Sequence, residues 1–314
     1  MSEVVLRGVL PVFQTPYDSD GRPDLTVLRA EIRWMFSHGV DGVVMGMVSE
    51  VLRLSSNEID LIGSAVCQIC AEYSAPAVIS VGAESTYVAV ENAKRAVGYG
   101  ATALMAIPPL ATAAPDSEKL KYYRGILQAV QVPIIVQDAS GYVGQPLSIA
   151  VQEELLREFP DRVLFKPEAA PIGPRVSALR DATGGRARIF EGTGGIALVD
   201  TYKRGVVGTM PGADLCWAIV QLWRALEAND ELAIDEINGA LVPLVAMQTS
   251  LDAFLAVEKH LLVLQEVFPN TLIRGPVSFE ADPETLTEVE RLFRRLKQAV
   301  AKHQRDSSIA VSDA

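Results

Sequence analysis

The stretch PIIVQDASGYVGQPLSIAVQEELLREFPDRVLFKPE, residues 133–168, decides the fold. It opens on a short apolar run, 133–138, that ends in the polar pair Gln137 and Asp138. A glycine-bearing loop follows, then a helix-patterned run at 147–157, then a second short apolar run, 163–168, carrying Lys166 and Glu168 at its end. Short Val- and Ile-rich runs of this kind, without strict alternation, are what parallel strands buried on both faces require. The stretch therefore reads as one strand–helix–strand unit.

Working outward, the same apolar pattern recurs at 8–15, 42–46, 76–82, 103–108, 188–193 and 205–212. Helical runs lie between: Asp24 caps one with Leu25, Leu28, Ile32 and Met35 on a single face, and others follow at 55–72, 86–98, 118–129, 173–182 and 196–203. Eight strand–helix units predict an α/β chain closed as a (β/α)8 TIM barrel. An open doubly wound sheet would carry a glycine-rich phosphate loop after its first strand, and PVFQTPYD at 11–18 is not one. Beyond residue 212 helices take over, at about 213–228, 231–247, 251–268 and 284–303. The last begins on Asp282-Pro283-Glu284 and lines up Leu286, Val289, Leu292, Phe293, Leu296 and Val300 in one stripe, which must pack on the barrel or on another subunit. The expected division is a catalytic barrel over 1–228, a C-terminal helical extension over 229–303 and a flexible tail over 304–314.

With 49% hydrophobic and 21% charged residues in 314, the chain has ample material for a core, which excludes global disorder. A formal charge of −11 argues against nucleic acid or an anionic membrane as partner, so an anionic small molecule needs a local positive group. No apolar run reaches the ~18 residues of a membrane span, and MSEVVLRGVLPVF lacks the pattern of a signal peptide, so the expected compartment is the cytoplasm. The cysteines Cys67, Cys70 and Cys216 make no disulfide framework, and the CxxC pair sits inside a helical run, where core packing is the expectation. His38, His260 and His303 are far apart, so no zinc site is expected. DSDG at 18–21 reads as a surface turn rather than a calcium loop, and Tyr122 and Tyr123 as packing residues.

In such a barrel the chemistry sits at the C-terminal strand ends. That yields Thr15, Gly46 to Glu50, Pro108, Gln137, Asp138, Lys166, Glu168, Glu191, Thr193, Thr209 and Gly212 as candidates. Of eight lysines, Lys166 alone lies within an apolar strand pattern. A buried ammonium is costly unless paired or deprotonated, and a neutral amine attacks carbonyls. Lys166 thus reads either as a Schiff-base nucleophile or as the partner of Glu168 or Glu191 in an ion pair. GMVSE at 46–50 offers backbone N–H groups and the Ser49 hydroxyl to a carboxylate, or is a plain turn. In the loop at 136–144, Tyr142 stands between two glycines, placed to cover the mouth or simply to pack. EGTGG at 191–195 either lets substrate approach the backbone, binds an anion at a helix start, or turns the chain.

On these residues the chain resembles the dihydrodipicolinate synthase / N-acetylneuraminate lyase superfamily, from about Gly8 to Pro276. The resemblance rests on the opening GVLPVFQTPYDSDGRPD, the GxxxE loop Gly46–Glu50, Pro108 after strand four, the loop at 137–144 and the strand-six lysine. It implies a (β/α)8 class I lyase that forms its Schiff base on Lys166 with a 2-keto acid, without metal or organic cofactor, in a homo-oligomer, commonly a tetramer. It also shows departures. The family's Gly-Thr-Thr-Gly-Glu loop is Gly46-Met47-Val48-Ser49-Glu50 here. Its strand-five tyrosine falls on Gln137, its substrate-binding arginine on Tyr142, and its paired tyrosines on Pro109 and Leu110. The strings Val136-Gln137-Asp138-Ala139, Ser49-Glu50 and Phe165-Lys166 with Glu168 look like the 2-keto-3-deoxy-L-arabonate dehydratase subgroup. The resemblance therefore implies dehydration of a 2-keto-3-deoxy sugar acid, with dihydrodipicolinate synthase or pyruvate-aldolase chemistry as alternatives and non-catalytic keto-acid binding as a third. By the same resemblance Lys166, Gln137 and Ser49 are expected to be catalytic. Val48, Glu50, Asp138, Tyr142, Glu168, Glu191, Thr193, Pro108 and Met210 are expected to contact substrate, with the keto-acid carboxylate on the amides of Val48 and Ser49.

Overall fold

The computed structural model describes residues 5–312, with side chains through residue 304. Eight short parallel strands form a ring: β1 (Gly8–Val9), β2 (Val43–Val44), β3 (Ala77–Ser80), β4 (Ala103–Ala106), β5 (Ile134–Asp138), β6 (Val163–Pro167), β7 (Phe190–Glu191) and β8 (Gly208–Thr209). Strands β2 to β6 pair in sequence order, and β1 pairs with β8, which pairs with β7. Single bridges close the two gaps, Val12 with Val44 and Phe165 with Ile189. The barrel is complete.

The ladders are shorter than the apolar runs. The first run, 8–15, keeps regular pairing only over Gly8–Val9. Pro11 has no N–H to give. The run still follows its neighbours, with Leu10 N donating to Thr209 O, Val12 N to Pro211 O and Phe13 N to Val44 O.

Side-chain direction follows the two-residue period of a strand. Leu10, Val12, Val44, Val78, Met105, Ile135, Leu164 and Met210 fill the barrel interior. Ile134, Val136, Val163 and Phe165, one residue out of phase, pack outward against the helices. From Leu164 that parity aims Lys166 inward, and from Ile135 it aims Gln137 inward; the two sit opposite each other in the β5–β6 register.

The outer layer is α1 (Leu25–Ser37), α2 (Ser56–Glu72), α3 (Thr86–Gly98), α4 (Asp116–Ala129), α5 (Ile149–Glu158), α6 (Ile172–Ala182), α7 (Leu198–Lys203) and α8 (Cys216–Ala228). Side chains of Asp24, Ser55, Ser85 and Ser148 cap α1, α2, α3 and α5 as acceptors of first-turn N–H groups. Cys67 and Cys70 are buried on α2, where burial pushes the Cys67 thiol up to about 12 and Cys70 higher still. Asp18 accepts from the N–H groups of Asp20 and Arg22 in a tight turn. Tyr122 and Tyr123 are buried, the first accepting from Ala83 N and the second donating to Ala106 O.

Three further helices follow: α9 (Glu231–Val245), α10 (Leu251–Leu264) and α11 (Pro283–Ser312). Helix α11 lies on α9, α8 and α10 of the same chain and buries Val289, Leu292, Phe293, Leu296 and Val300. Helix α10 packs against the 3-10 turn Met47–Ser49 at the mouth of the barrel. The tail expected over 304–314 lies, beyond Gln304, outside the residues whose side chains are described. No helix among the described residues is long and apolar enough to cross a membrane.

Candidate active site

Lys166 is 4% exposed and borders a small cavity at the C-terminal end of the barrel. Its Nζ donates to Glu168 Oε1 at 2.9 Å. The other carboxylate oxygen, Oε2, accepts from Gln137 Nε2 at 2.6 Å. Lysine, glutamate and amide therefore form one buried chain, and of the two ion-pair partners expected for Lys166 the structure selects Glu168. Burial raises the Glu168 carboxyl above the usual range and Glu191 adds to that, while Lys166 and the Gln137 amide pull it down. Gly192, just past β7, also borders the cavity; a Cβ there would stand 2.7 Å from Lys166 Cε and 2.9 Å from Glu168 Cγ. Only a glycine allows the backbone so close to the lysine stem.

The walls also include Val48, Tyr142, Met210 and the α10 residues Leu251, Phe254 and Glu258. The rings of Tyr142 and Phe254 meet edge to face, 5.5 Å between centroids. Burial, with Glu168, Glu191 and Glu258 nearby, raises the Tyr142 phenol, so it stays protonated and offers a donor.

Other sequence candidates sit beside the cavity without bordering it. Ser49 Oγ donates to Phe13 O at 2.7 Å and accepts from Gly46 N at 3.1 Å, and the Ser49 amide is taken by Gly46 O at 3.0 Å. The expected carboxylate cradle on the Ser49 amide is thus already occupied by the turn. Glu50 adopts a left-handed φ of 59°. Its Oε1 accepts from Lys259 Nζ at 2.6 Å and its Oε2 from Arg274 N at 3.0 Å. Asp138 accepts from Ser140 N, Ser140 Oγ, Leu147 N and Arg175 Nη2, which pins the loop after β5. Glu191 accepts from Thr193 N, Thr193 Oγ1 and Thr209 Oγ1. Thr15 Oγ1 donates to Ser49 O, and Pro108 is buried two residues past the end of β4. Glu50, Asp138 and Glu191 have their oxygens committed to holding loops, and Gln137 reaches the lysine only through Glu168.

The residues absent from the sequence reading are Leu251, Phe254 and Glu258. They recur on one face of α10, and Ser250 caps that helix by accepting from Ala253 N. A signal existed. Glu258 and Lys259 interrupt the apolar run of LDAFLAVEKHLLVL, and Glu31 interrupts that of α1. Charges on a buried stripe require a reason. Among the described residues no group of three or more His, Cys, Asp or Glu side chains is arranged to hold a metal ion.

A sequence model of the dihydrodipicolinate synthetase family matches residues 5–296. The chain is similar to the L-2-keto-3-deoxyarabonate dehydratase of Azospirillum brasilense, 26% identical over 94% of this chain and 96% of that one. It is similar to the 4-hydroxy-tetrahydrodipicolinate synthase of Bartonella bacilliformis, 27% identical over 76% of this chain and 82% of that one. Among solved structures, the 4-hydroxy-tetrahydrodipicolinate synthase of Methylacidiphilum fumariolicum SolV superposes with a TM-score of 0.86 at 19% identity, covering 96% of this chain and 99% of that one.

Proposed function

The chain belongs to the dihydrodipicolinate synthetase family of class I Schiff-base lyases, and we propose that it removes water from a 2-keto-3-deoxy sugar acid through an imine on Lys166. The observation that carries this reading is the buried Lys166–Glu168–Gln137 chain on the wall of the cavity.

Moving the shared proton from Lys166 Nζ to Glu168 Oε1 leaves a neutral amine and a neutral acid, both suited to a dry site. The amine attacks the C2 carbonyl. Glu168 returns its proton to the carbinolamine hydroxyl, which leaves as water and gives the protonated imine. The imine withdraws electrons from C3, and Glu168, again a carboxylate, takes a C3 proton to form the enamine. The enamine pair then expels the C4 hydroxyl, and hydrolysis frees the dehydrated keto acid and the lysine. Gln137 holds Glu168 in place where a tyrosine would instead offer a proton. Tyr142 and Val48 border the substrate.

The A. brasilense dehydratase, aligned over nearly the whole chain, supports this substrate class. The synthase reading draws on the B. bacilliformis relative at similar identity. The proposal includes a cytoplasmic homo-oligomer, a tetramer by likeness to the family.

Borohydride reduction in the presence of pyruvate or a 2-keto-3-deoxypentonate tests the imine. The expected result is a stable added mass on the peptide that carries Lys166, absent in Lys166→Ala. An unmodified Lys166 in the wild-type protein overturns the reading. Product analysis with the pentonate then separates the activities: a semialdehyde keto acid marks dehydration, and released pyruvate marks aldol cleavage.

A further inference from the structure

Helix α10 carries Glu258 to the cavity wall, where the carboxyl is 1% exposed and shares the lining with Lys166 and Glu168. It does not stand alone. Gln14 Nε2 donates to Glu258 Oε2, and Gln14 N donates to Glu31 Oε1 at 2.9 Å. Asp214 closes the group: a Cβ on Gly212 would overlap Glu258 Oε1 and stand 2.7 Å from Asp214 Oδ1, so the two carboxyls converge over that glycine. Two buried acids, from α1 and α10, thus hold Gln14 between them, and a third, from the segment before α8, lies beside Glu258, with no arginine among their hydrogen-bond partners.

Three oxygens in this group, Gln14 Oε1, Glu31 Oε2 and Asp214 Oδ2, are buried without a hydrogen-bond partner. Unpartnered carboxylate oxygens in a dry interior are costly, whereas a protonated carboxyl is a donor that can use such acceptors. Burial acts in the same direction on all three acids. It raises Asp214 to about 7 and Glu31 and Glu258 well above the usual range. Facing Glu258 are Asp214 and Glu31, which repel a second charge, and Lys166 and Lys259, which favour one. Tyr142 lies within reach of the same field. The cluster therefore holds protons beside the cavity that the lysine also lines.

We propose that Glu258 is the general acid of the site: its carboxyl proton goes to the C4 hydroxyl of the imine-bound substrate as the C4–O bond breaks, with Gln14 holding the carboxyl in place and Glu31 and Asp214 keeping it protonated between turnovers. This rests on the imine reading above and adds the proton donor that reading lacked. The balance closes. The enamine pair forms the C3–C4 double bond, the hydroxyl leaves as water with the Glu258 proton, and the proton that Glu168 took from C3 restores the one Glu258 gave.

The test is Glu258→Gln, which keeps the volume and an acceptor for Gln14. Three quantities are read: mass added to Lys166 by borohydride with pyruvate, kcat for a 2-keto-3-deoxypentonate, and the pH profile of kcat. Trapping at the wild-type level is expected, with kcat lowered about 10²–10⁴-fold and the alkaline limb of the profile, where the acid loses its proton, abolished. A kcat within threefold of wild type, or an unaltered alkaline limb, overturns the proposal while leaving the imine intact. Absence of trapping in the wild-type protein overturns the imine reading and this one with it. Should Glu258→Gln fail to fold, Asp214→Asn serves: removing a neighbouring negative charge is expected to move the alkaline limb to lower pH, and an unmoved limb overturns the role of the cluster.

Discussion

Lys166 and Lys259 are both buried, and their surroundings send them to different work. Lys166 meets a cavity on one side and Glu168 on the other. Lys259 meets none: its Nζ donates to Thr15 O, Glu50 Oε1 and Leu272 O and lies 4.5 Å from the centre of the Tyr17 ring. Burial lowers the Lys259 ammonium while Glu50 pulls it back up. Both side chains of that pair are wholly buried, so removing one partner strands the other. Lys259→Ala is expected to cost about 3–5 kcal/mol in urea unfolding, and the double change Lys259→Met, Glu50→Gln to recover most of it. A double variant no more stable than Lys259→Ala would contradict the account of Glu50 as a held charge. The sequence marked Lys166 because a lysine inside a strand-like run of six residues is conspicuous. It passed over Lys259 because a helix period says which face is buried without saying what covers it.

Element by element, the strand and helix order was legible because buried parallel strands are short and apolar, and each is followed by a capped amphipathic run. Strand ends were less legible. Whether a backbone N–H pairs depends on the neighbour's register and on prolines such as Pro11 and Pro211, not on hydropathy. Lys166, Glu168, Tyr142, Val48 and Met210, all of them named from the sequence, line the cavity; the strands and the loops that follow their C-terminal ends carry them. Leu251, Phe254 and Glu258 could not be named, because where α10 sits depends on contacts more than two hundred residues apart, such as Lys259 to Thr15. The end of β8 and the inner face of α10 meet at Gly212, where the added methyl of Gly212→Ala would press on two buried carboxyls. That substitution is expected to cost about 1–3 kcal/mol from overpacking. It should also slow dehydration more than it reduces borohydride trapping at Lys166, because it displaces Glu258 and leaves the lysine in place. Equal losses in both assays would show that Gly212 serves packing alone.

Across the whole molecule, the buried acids set how stability depends on pH. Glu31, Asp214, Glu258 and Glu168 all carry folded-state values above the ordinary carboxylate range. A group raised in this way stabilises fully below its unfolded value and loses that contribution as pH rises through its folded value. For Asp214 the window runs from about 4 to about 7. Glu58 works in the opposite sense. Arg274 holds it down to about 2, so its contribution is present above the ordinary value and is lost as pH falls toward 2. The two trends meet on the mildly acidic side of neutrality, and a net charge of −11 adds self-repulsion as the remaining protons leave. The melting temperature should therefore be higher near pH 5.5 than near pH 8. Asp214→Asn, which cannot ionise, should narrow that difference by raising stability at pH 8 relative to wild type. Calorimetry across that range checks both statements, and a wild-type melting temperature that rises from pH 5.5 to 8 would mean the cluster is not protonated in the folded chain. The same cluster supplies the proton of Glu258, so Asp214→Asn should act on both profiles in opposite senses: stability is kept to higher pH because the raised acid is gone, and the alkaline limb of kcat falls at lower pH because Glu258 has lost a repelling neighbour.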